Sequence, residues 1–106
     1  MKVRYDFAGT VVLITGAGSG IGAATARACA AAGAEVVPAD VQGTPEPVDV
    51  SDPEAVRRLV REALARHGRI DAAVLAAAVQ RRIPIEDMSD AEWRRHLAVN
   101  LDGVFY

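Results

Sequence analysis

The sequence predicts an α/β fold, a doubly wound parallel sheet with helices on both faces, from three observations. Residues 10–15 (TVVLIT) form a β-branched apolar run of the kind found in a strand covered on both sides. At the glycine cluster that follows, the spacing of apolar residues changes from strand to helix. Beyond residue 33, strand-like and helix-like segments keep alternating, as parallel strands joined by crossover helices do. With 106 residues and 11.2 kDa, the chain has material for one domain, residues 1–106.

The first helix is expected from Ile21, with Ile21, Ala24, Thr25, Ala28, Cys29 and Ala32 on its inner stripe and Gly33 as its stop. EVVPAD (35–40) reads as the second strand. The turn-rich VQGTPEP (41–47) leads to VDV (48–50), expected as a short third strand at an edge because of Pro45 and Pro47. Ser51-Asp52-Pro53-Glu54 has capping-box spacing with proline in the first turn. The helix it opens carries Val56, Leu59, Val60, Ala63 and Leu64 inward and pairs Glu54/Arg58 and Glu62/Arg66 outward, and it stops at His67-Gly68. IDAAVLAAAV (70–79) contains the fourth strand. Ser89-Asp90-Ala91-Glu92 opens a last helix with the stripe Trp93, Leu97, Asn100, Leu101 and Val104. The expected strand order is 3-2-1-4, which leaves the fourth strand as an uncovered edge.

Composition narrows the function classes. The chain is 51% hydrophobic and 25% charged, with a formal net charge of −2. That balance argues against nucleic acid or an anionic membrane as the main partner. A single cysteine, Cys29, excludes an internal disulfide and suits a reducing compartment. No apolar run reaches the roughly 18 residues of a membrane span, and MKVRYDFAG lacks the apolar core of a signal peptide, so a cytoplasmic location is expected. His67 and His96 have no metal-ligand spacing around them, and no metal site is expected.

The segment Thr15-Gly16-Ala17-Gly18-Ser19-Gly20-Ile21-Gly22 stands between a strand and a helix. Gly16 allows a sharp turn, Gly20 a close approach of backbone to a phosphate, and Gly22 close packing of the helix. Free N–H groups at the helix start suit a pyrophosphate, the alternative being a glycine-rich turn without a ligand. The spacing resembles TGxxxGIG, the first motif of the short-chain dehydrogenase/reductase family, with Thr15, Gly16, Gly20, Ile21 and Gly22 matching it. Later features follow in the family's order, so the whole chain resembles the N-terminal, cofactor-binding half of a member, with a Rossmann-type fold. The short passage 41–47 and residues 79–105 look most like the dihydro-dihydroxybenzoate dehydrogenases.

Asp40 ends the second strand, where a carboxylate can accept from an adenosine ribose and repel a 2′-phosphate. With no Arg or Lys in 15–22 or 41–45, NAD is favoured over NADP; the plainer alternative is an Asp that starts a turn. Asp49-Val50 resembles the family's adenine-contacting pair, the alternative being an Asp that caps the next helix. Leu75, Ala76, Ala77 and Ala78 stand where the family has Asn-Asn-Ala-Gly, keeping the wall small without its amides. The resemblance thus implies a cofactor-binding set of Gly16, Ser19, Gly20, Ile21, Gly22, Asp40, Val41, Asp49, Val50, Ala76, Ala77 and Ala78.

Asn100 lies on the apolar stripe of the last helix, where an amide needs a hydrogen-bonding partner. A neighbouring backbone group would serve; the resemblance implies instead the asparagine of an Asn-Ser-Tyr-Lys catalytic tetrad. No Tyr-x-x-x-Lys occurs in residues 1–106, whose only lysine is Lys2. The expected function is hydride transfer between a nicotinamide dinucleotide and a small alcohol or carbonyl substrate, with this chain as the cofactor-binding half. A non-catalytic nucleotide-binding or dimerisation half-domain is the alternative. The resemblance further implies a homo-oligomer formed through the last helix.

Overall fold

The computed structural model describes residues 1–106. Strand β1 is Val11–Thr15, helix α1 Gly20–Ala31, strand β2 Glu35–Ala39, helix α2 Pro53–His67 and strand β3 Ala72–Leu75. A 3₁₀ turn at Ile85–Asp87 precedes helix α3, Asp90–Leu97. The helical path then runs through a π-type turn, Ala98–Asp102, into a closing turn at Gly103–Phe105.

The sheet is parallel with the order β2-β1-β3. Val12 lies beside Val36 on one side and Ala72 on the other; Thr15 is flanked by Ala39 and Leu75. Central β1 is buried along its whole length, which explains its unbroken apolar run. Val36 packs with Val12 and Ile14 against Ala26 and Cys29 of α1. Val37, the next residue, shares a groove with Ala55, Leu59 and Ala63 of α2. Successive strand residues point to opposite faces, so α1 and α2 cover the two faces of the sheet.

The expected third strand does not form. Residues 48–50 are irregular, and the segment meets β2 only at an isolated parallel bridge between Asp40 and Pro47, with Val48 N–H donating to Asp40 C=O at 2.8 Å. Proline supplies the reason. Glu35 N–H donates to Thr10 C=O, so odd residues of β2 turn their backbone toward β1, and Pro38 turns its donor-less nitrogen to the outer edge. Pro45 and Pro47 remove two more donors from the approaching chain, and a ladder cannot propagate.

Three helix expectations are also corrected. In α1, Gly22 is the buried contact point, and Ala26 and Cys29, four and seven residues on, continue the inner face. Ile21, Ala24 and Ala28 point outward instead. In α2 the cap is Asp52, which accepts from Glu54 and Ala55 N–H, while Ser51 turns back to Asp49. Glu54 pairs with Arg57 and Arg61 rather than Arg58. Glu62 forms no ion pair with Arg66. On α3 and its continuation the buried residue is Val99, packed with Val50 and Val56. Trp93, Leu97, Leu101 and Val104, expected in the core, are 55%, 38%, 62% and 48% exposed.

The helix stops agree with the sequence reading. Gly33 N–H bonds Ala30 C=O and Ala34 N–H bonds Cys29 C=O, a Schellman ending for α1. Gly68 adopts a left-handed conformation after α2. β3 is an edge strand whose Ala72, Ala73 and Leu75 are exposed. No helix is long and apolar enough to cross a membrane.

Candidate nucleotide-binding cleft

The carboxyl ends of β1, β2 and β3 open onto one cleft of about 310 Å³. Its floor is the glycine loop, with Gly16, Ser19, Gly20, Ile21 and Gly22. Asp40 and Val41 line it from the end of β2, Asp49 and Val50 from the irregular segment, and Ala76, Ala77 and Ala78 from the exit of β3. The cleft therefore brings together all twelve residues singled out for cofactor contact. Asn100 stands just behind its wall.

The floor is open where a phosphate would need room. α2 and α3 have side-chain caps, from Asp52 and from Ser89, whose hydroxyl accepts from Glu92 N–H at 3.1 Å. The α1 N-terminus has no side-chain cap, and no backbone or side-chain acceptor meets the N–H groups of Ser19, Gly20, Ile21 and Gly22. A Cβ built on Gly20 would meet nothing within 4 Å, so the space above this helix end is empty. Unpaired N–H groups and the positive end of the helix dipole together suit an anion.

Tight backbone contacts hold that floor in place. Gly16 has φ +67°, and a Cβ on it would lie 2.7 Å from the Ala76–Ala77 peptide. Thr15 Oγ1 accepts from Ala77 N–H at 3.2 Å, tying β1 to the exit of β3. Gly18, which the sequence reading left without a role, is as constrained: a Cβ there would lie 2.0 Å from the Gln42 carbonyl oxygen. Its N–H donates to Asp40 Oδ2 at 2.9 Å, while Val41 N–H donates to Asp40 Oδ1 at 2.7 Å. Asp40 thus sits at the cleft with both oxygens engaged by backbone, and residues 40–43 dock on the glycine loop.

Asp49 caps no helix. Its Oδ1 accepts from Ser51 N–H at 2.9 Å and Ser51 Oγ at 2.6 Å, and its Oδ2 from an Arg95 guanidinium nitrogen at 3.3 Å. The Ser51 hydroxyl, followed by its N–H and by Arg95, holds the Asp49 carboxyl below its ordinary value against the opposing effect of burial. Arg95 also lines the cleft, as do Val48, Val79 and Val99. Sequence reasoning missed Arg95. Its only sequence signal is its place one helical turn before Val99, visible once α3 is known to dock on residues 48–51.

Asn100 is exposed rather than buried, and both polar atoms of its amide engage the backbone of one residue. Its Oδ1 accepts from Val79 N–H and its Nδ2 donates to Val79 C=O, both at 2.8 Å. Of the two arginines after β3, Arg81 pairs with Glu92 and donates its backbone N–H to His96 Nε2. No group of three His, Cys, Asp or Glu side chains is placed to hold a metal ion.

A family model described as short chain dehydrogenase matches residues 10–106. The chain belongs to this family. Among relatives, 2,3-dihydro-2,3-dihydroxybenzoate dehydrogenase of Escherichia coli K12 is 39% identical, with 94% of this chain and 43% of that protein covered. D-threitol dehydrogenase of Mycolicibacterium smegmatis is 36% identical, with 99% and 48% covered. Among solved structures, a glucose/ribitol dehydrogenase of the short-chain dehydrogenase/reductase group from Brucella melitensis superposes with a TM-score of 0.93 at 33% identity. That match covers 98% of this chain and 51% of the other. The chain spans about half the length of the short-chain dehydrogenases it matches. Members of the family bind nicotinamide cofactors, and the open helix end, the small alanine wall and the carboxylates of Asp40 and Asp49 in this cleft fit such a group.

Proposed function

We propose that this chain forms the NAD-binding half of an oxidoreductase that transfers hydride between nicotinamide and a small alcohol or carbonyl compound. The observation that carries the proposal is the uncapped N-terminus of α1, lying beneath the open space at Gly20 and beside Asp40. In this reading Ser19, Gly20, Ile21 and Gly22 present backbone N–H groups to the pyrophosphate. Gly16 and Ala76–Ala78 keep the wall low enough for the dinucleotide to pass. Asp40 accepts from the adenosine ribose, Asp49 from the adenine amino group, and Val41 and Val50 flank the purine.

The preference for NAD follows from charge. Asp40 would face a 2′-phosphate with like charge, and Arg95, the one basic residue lining the cleft, is already paired with Asp49. Once bound, the nicotinamide ring supplies the hydride acceptor or donor. Asn100 enters as the relay asparagine of the family's tetrad, supported by its position behind the cleft wall and its lock on Val79. No Tyr-x-x-x-Lys pair occurs in residues 1–106, so in this reading the proton donor lies outside these residues. A cyclic dihydrodiol is the favoured substrate, on the resemblance of residues 79–105 and on the Escherichia coli relative. The exposed Trp93, Leu97, Leu101 and Val104 support a homo-oligomer formed through the last helix. The single cysteine supports a cytoplasmic setting.

Calorimetric titration with NAD and NADP tests this reading. NAD is expected to bind at least about tenfold more tightly than NADP, with Asp40→Ala narrowing the gap. Binding of neither dinucleotide at millimolar concentration overturns the proposal, and tighter binding of NADP overturns the choice of cofactor.

A further inference from the structure

The geometry points to Arg95 as a positioning residue: with Ser51 it fixes the Asp49 carboxylate so that one acceptor site remains to read the purine's exocyclic amino group. This inference rests on the nucleotide reading above. A carboxylate offers about four lone-pair sites, two on each oxygen. Ser51 fills both on Oδ1, through its N–H at 2.9 Å and its hydroxyl at 2.6 Å. Arg95 fills one on Oδ2 at 3.3 Å. The same guanidinium nitrogen donates to Ser51 Oγ at 3.2 Å, which directs the hydroxyl proton toward Asp49. One lone pair of Oδ2 is left, on a residue that lines the cleft.

An amino group satisfies that lone pair, whereas an oxo group in its place would set oxygen against oxygen. The device depends on how α3 docks. Arg95 precedes Val99 by one turn, and Val99 is buried against Val50, the residue after Asp49. Gly103, one turn further on, lies so close that a Cβ there would be 2.7 Å from Val50 Cγ2. The helix that seats Val99 on Val50 thereby delivers the guanidinium to Asp49. No other charged side chain faces this carboxyl: its partners are Ser51 from its own loop and Arg95 from α3.

Two measurements test the assignment. Dissociation constants for NAD and for its hypoxanthine analogue are compared in the wild type, Arg95→Met and Arg95→Lys. The wild type is expected to prefer the amino form by about tenfold or more. Arg95→Met reduces that ratio several-fold and Arg95→Lys restores most of it. Equal weakening of both ligands, with the ratio unchanged, is what a purely structural arginine would give, and it overturns the inference alone. Binding of neither dinucleotide by the wild type overturns the cofactor reading together with this one. Independently, carbon NMR follows the Asp49 carboxyl without nucleotide. Its titration midpoint is expected to rise in Arg95→Met and to lie between the two in Arg95→Lys; an unmoved midpoint removes the contact on which the inference stands.

Discussion

Gly22 sits so close to Gly16 that a Cβ on Gly22 would lie 2.0 Å from the Gly16 carbonyl oxygen. The start of α1 is thereby pressed onto the turn that leaves β1, and this contact sets which face of α1 looks inward. Gly22→Ala must separate the two segments. The expected cost is about 1–3 kcal/mol, as for other overpacked sites, read as a lower urea midpoint with unchanged slope. Gly20→Ala meets no atom and costs only about 1–2 kcal/mol for its φ of +54°. It nevertheless places a methyl group in the open space over the helix end, and nucleotide affinity is expected to fall by at least about tenfold. Equal affinities for Gly20→Ala and wild type would remove the phosphate from this position.

Asp40 couples the glycine loop to residues 40–43 through Gly18 N–H and Val41 N–H. Asp40→Asn can keep only one of these acceptors, and a loss of about 1–2 kcal/mol is expected. Hydrogen exchange at the Gly18 and Val41 amides checks it: one of the two should lose protection in Asp40→Asn while the amides of β1 keep theirs.

Asn100 holds Val79 by both backbone groups, so its two polar atoms can be removed separately. Asn100→Asp keeps the acceptor for Val79 N–H and loses the donor to Val79 C=O. Asn100→Ala loses both and is expected to cost about 1–3 kcal/mol. Faster exchange at the Val79 amide in Asn100→Ala than in Asn100→Asp is the expected order, and the reverse order would contradict the pairing.

Acid stability has a defined sign. Arg69, followed by Val11 N–H, holds the Asp71 carboxyl below its ordinary 3.8. A carboxyl depressed in the fold contributes stability that is fully present above its unfolded value and is lost as pH falls through its folded value. Asp49 acts in the same sense. Stability is therefore expected to decline below about pH 4, with Asp71→Asn flattening the decline because the Arg69 ion pair, which needs the ionised carboxyl, is then absent at every pH. Denaturation midpoints between pH 2 and pH 6, compared for the two proteins, decide it.

The outer stripe of the last helix gives a prediction about assembly. Leu97→Glu combined with Val104→Glu is expected to lower the oligomeric mass measured by light scattering, since both side chains are exposed within one protomer. An unchanged mass would remove this helix as a subunit contact.

The sheet, its parallel sense and the glycine loop were legible in the sequence because each depends on local chemistry. An apolar run as long as β1 needs two covered faces, a turn such as Gly16 needs a positive φ, and a helix such as α1 needs a stop such as Gly33. The twelve cleft residues could be collected because the family resemblance names them; ten follow the ends of β1, β2 and β3, which parallel strands put on one side, and Asp49 and Val50 come from the irregular segment. Three other features depend on contacts between distant segments. No local pattern says that Pro38 turns its nitrogen to the sheet edge and leaves 48–50 irregular. The phase of α1 is set by Gly22 against Gly16, and that of the last helix by Val99 against Val50. A hydrophobic stripe read from spacing alone cannot tell a face that meets its own sheet from one that meets another surface. Arg95 is the clearest case. Its guanidinium reaches Asp49 across 46 residues of chain, and only the docking of α3 brings the two together.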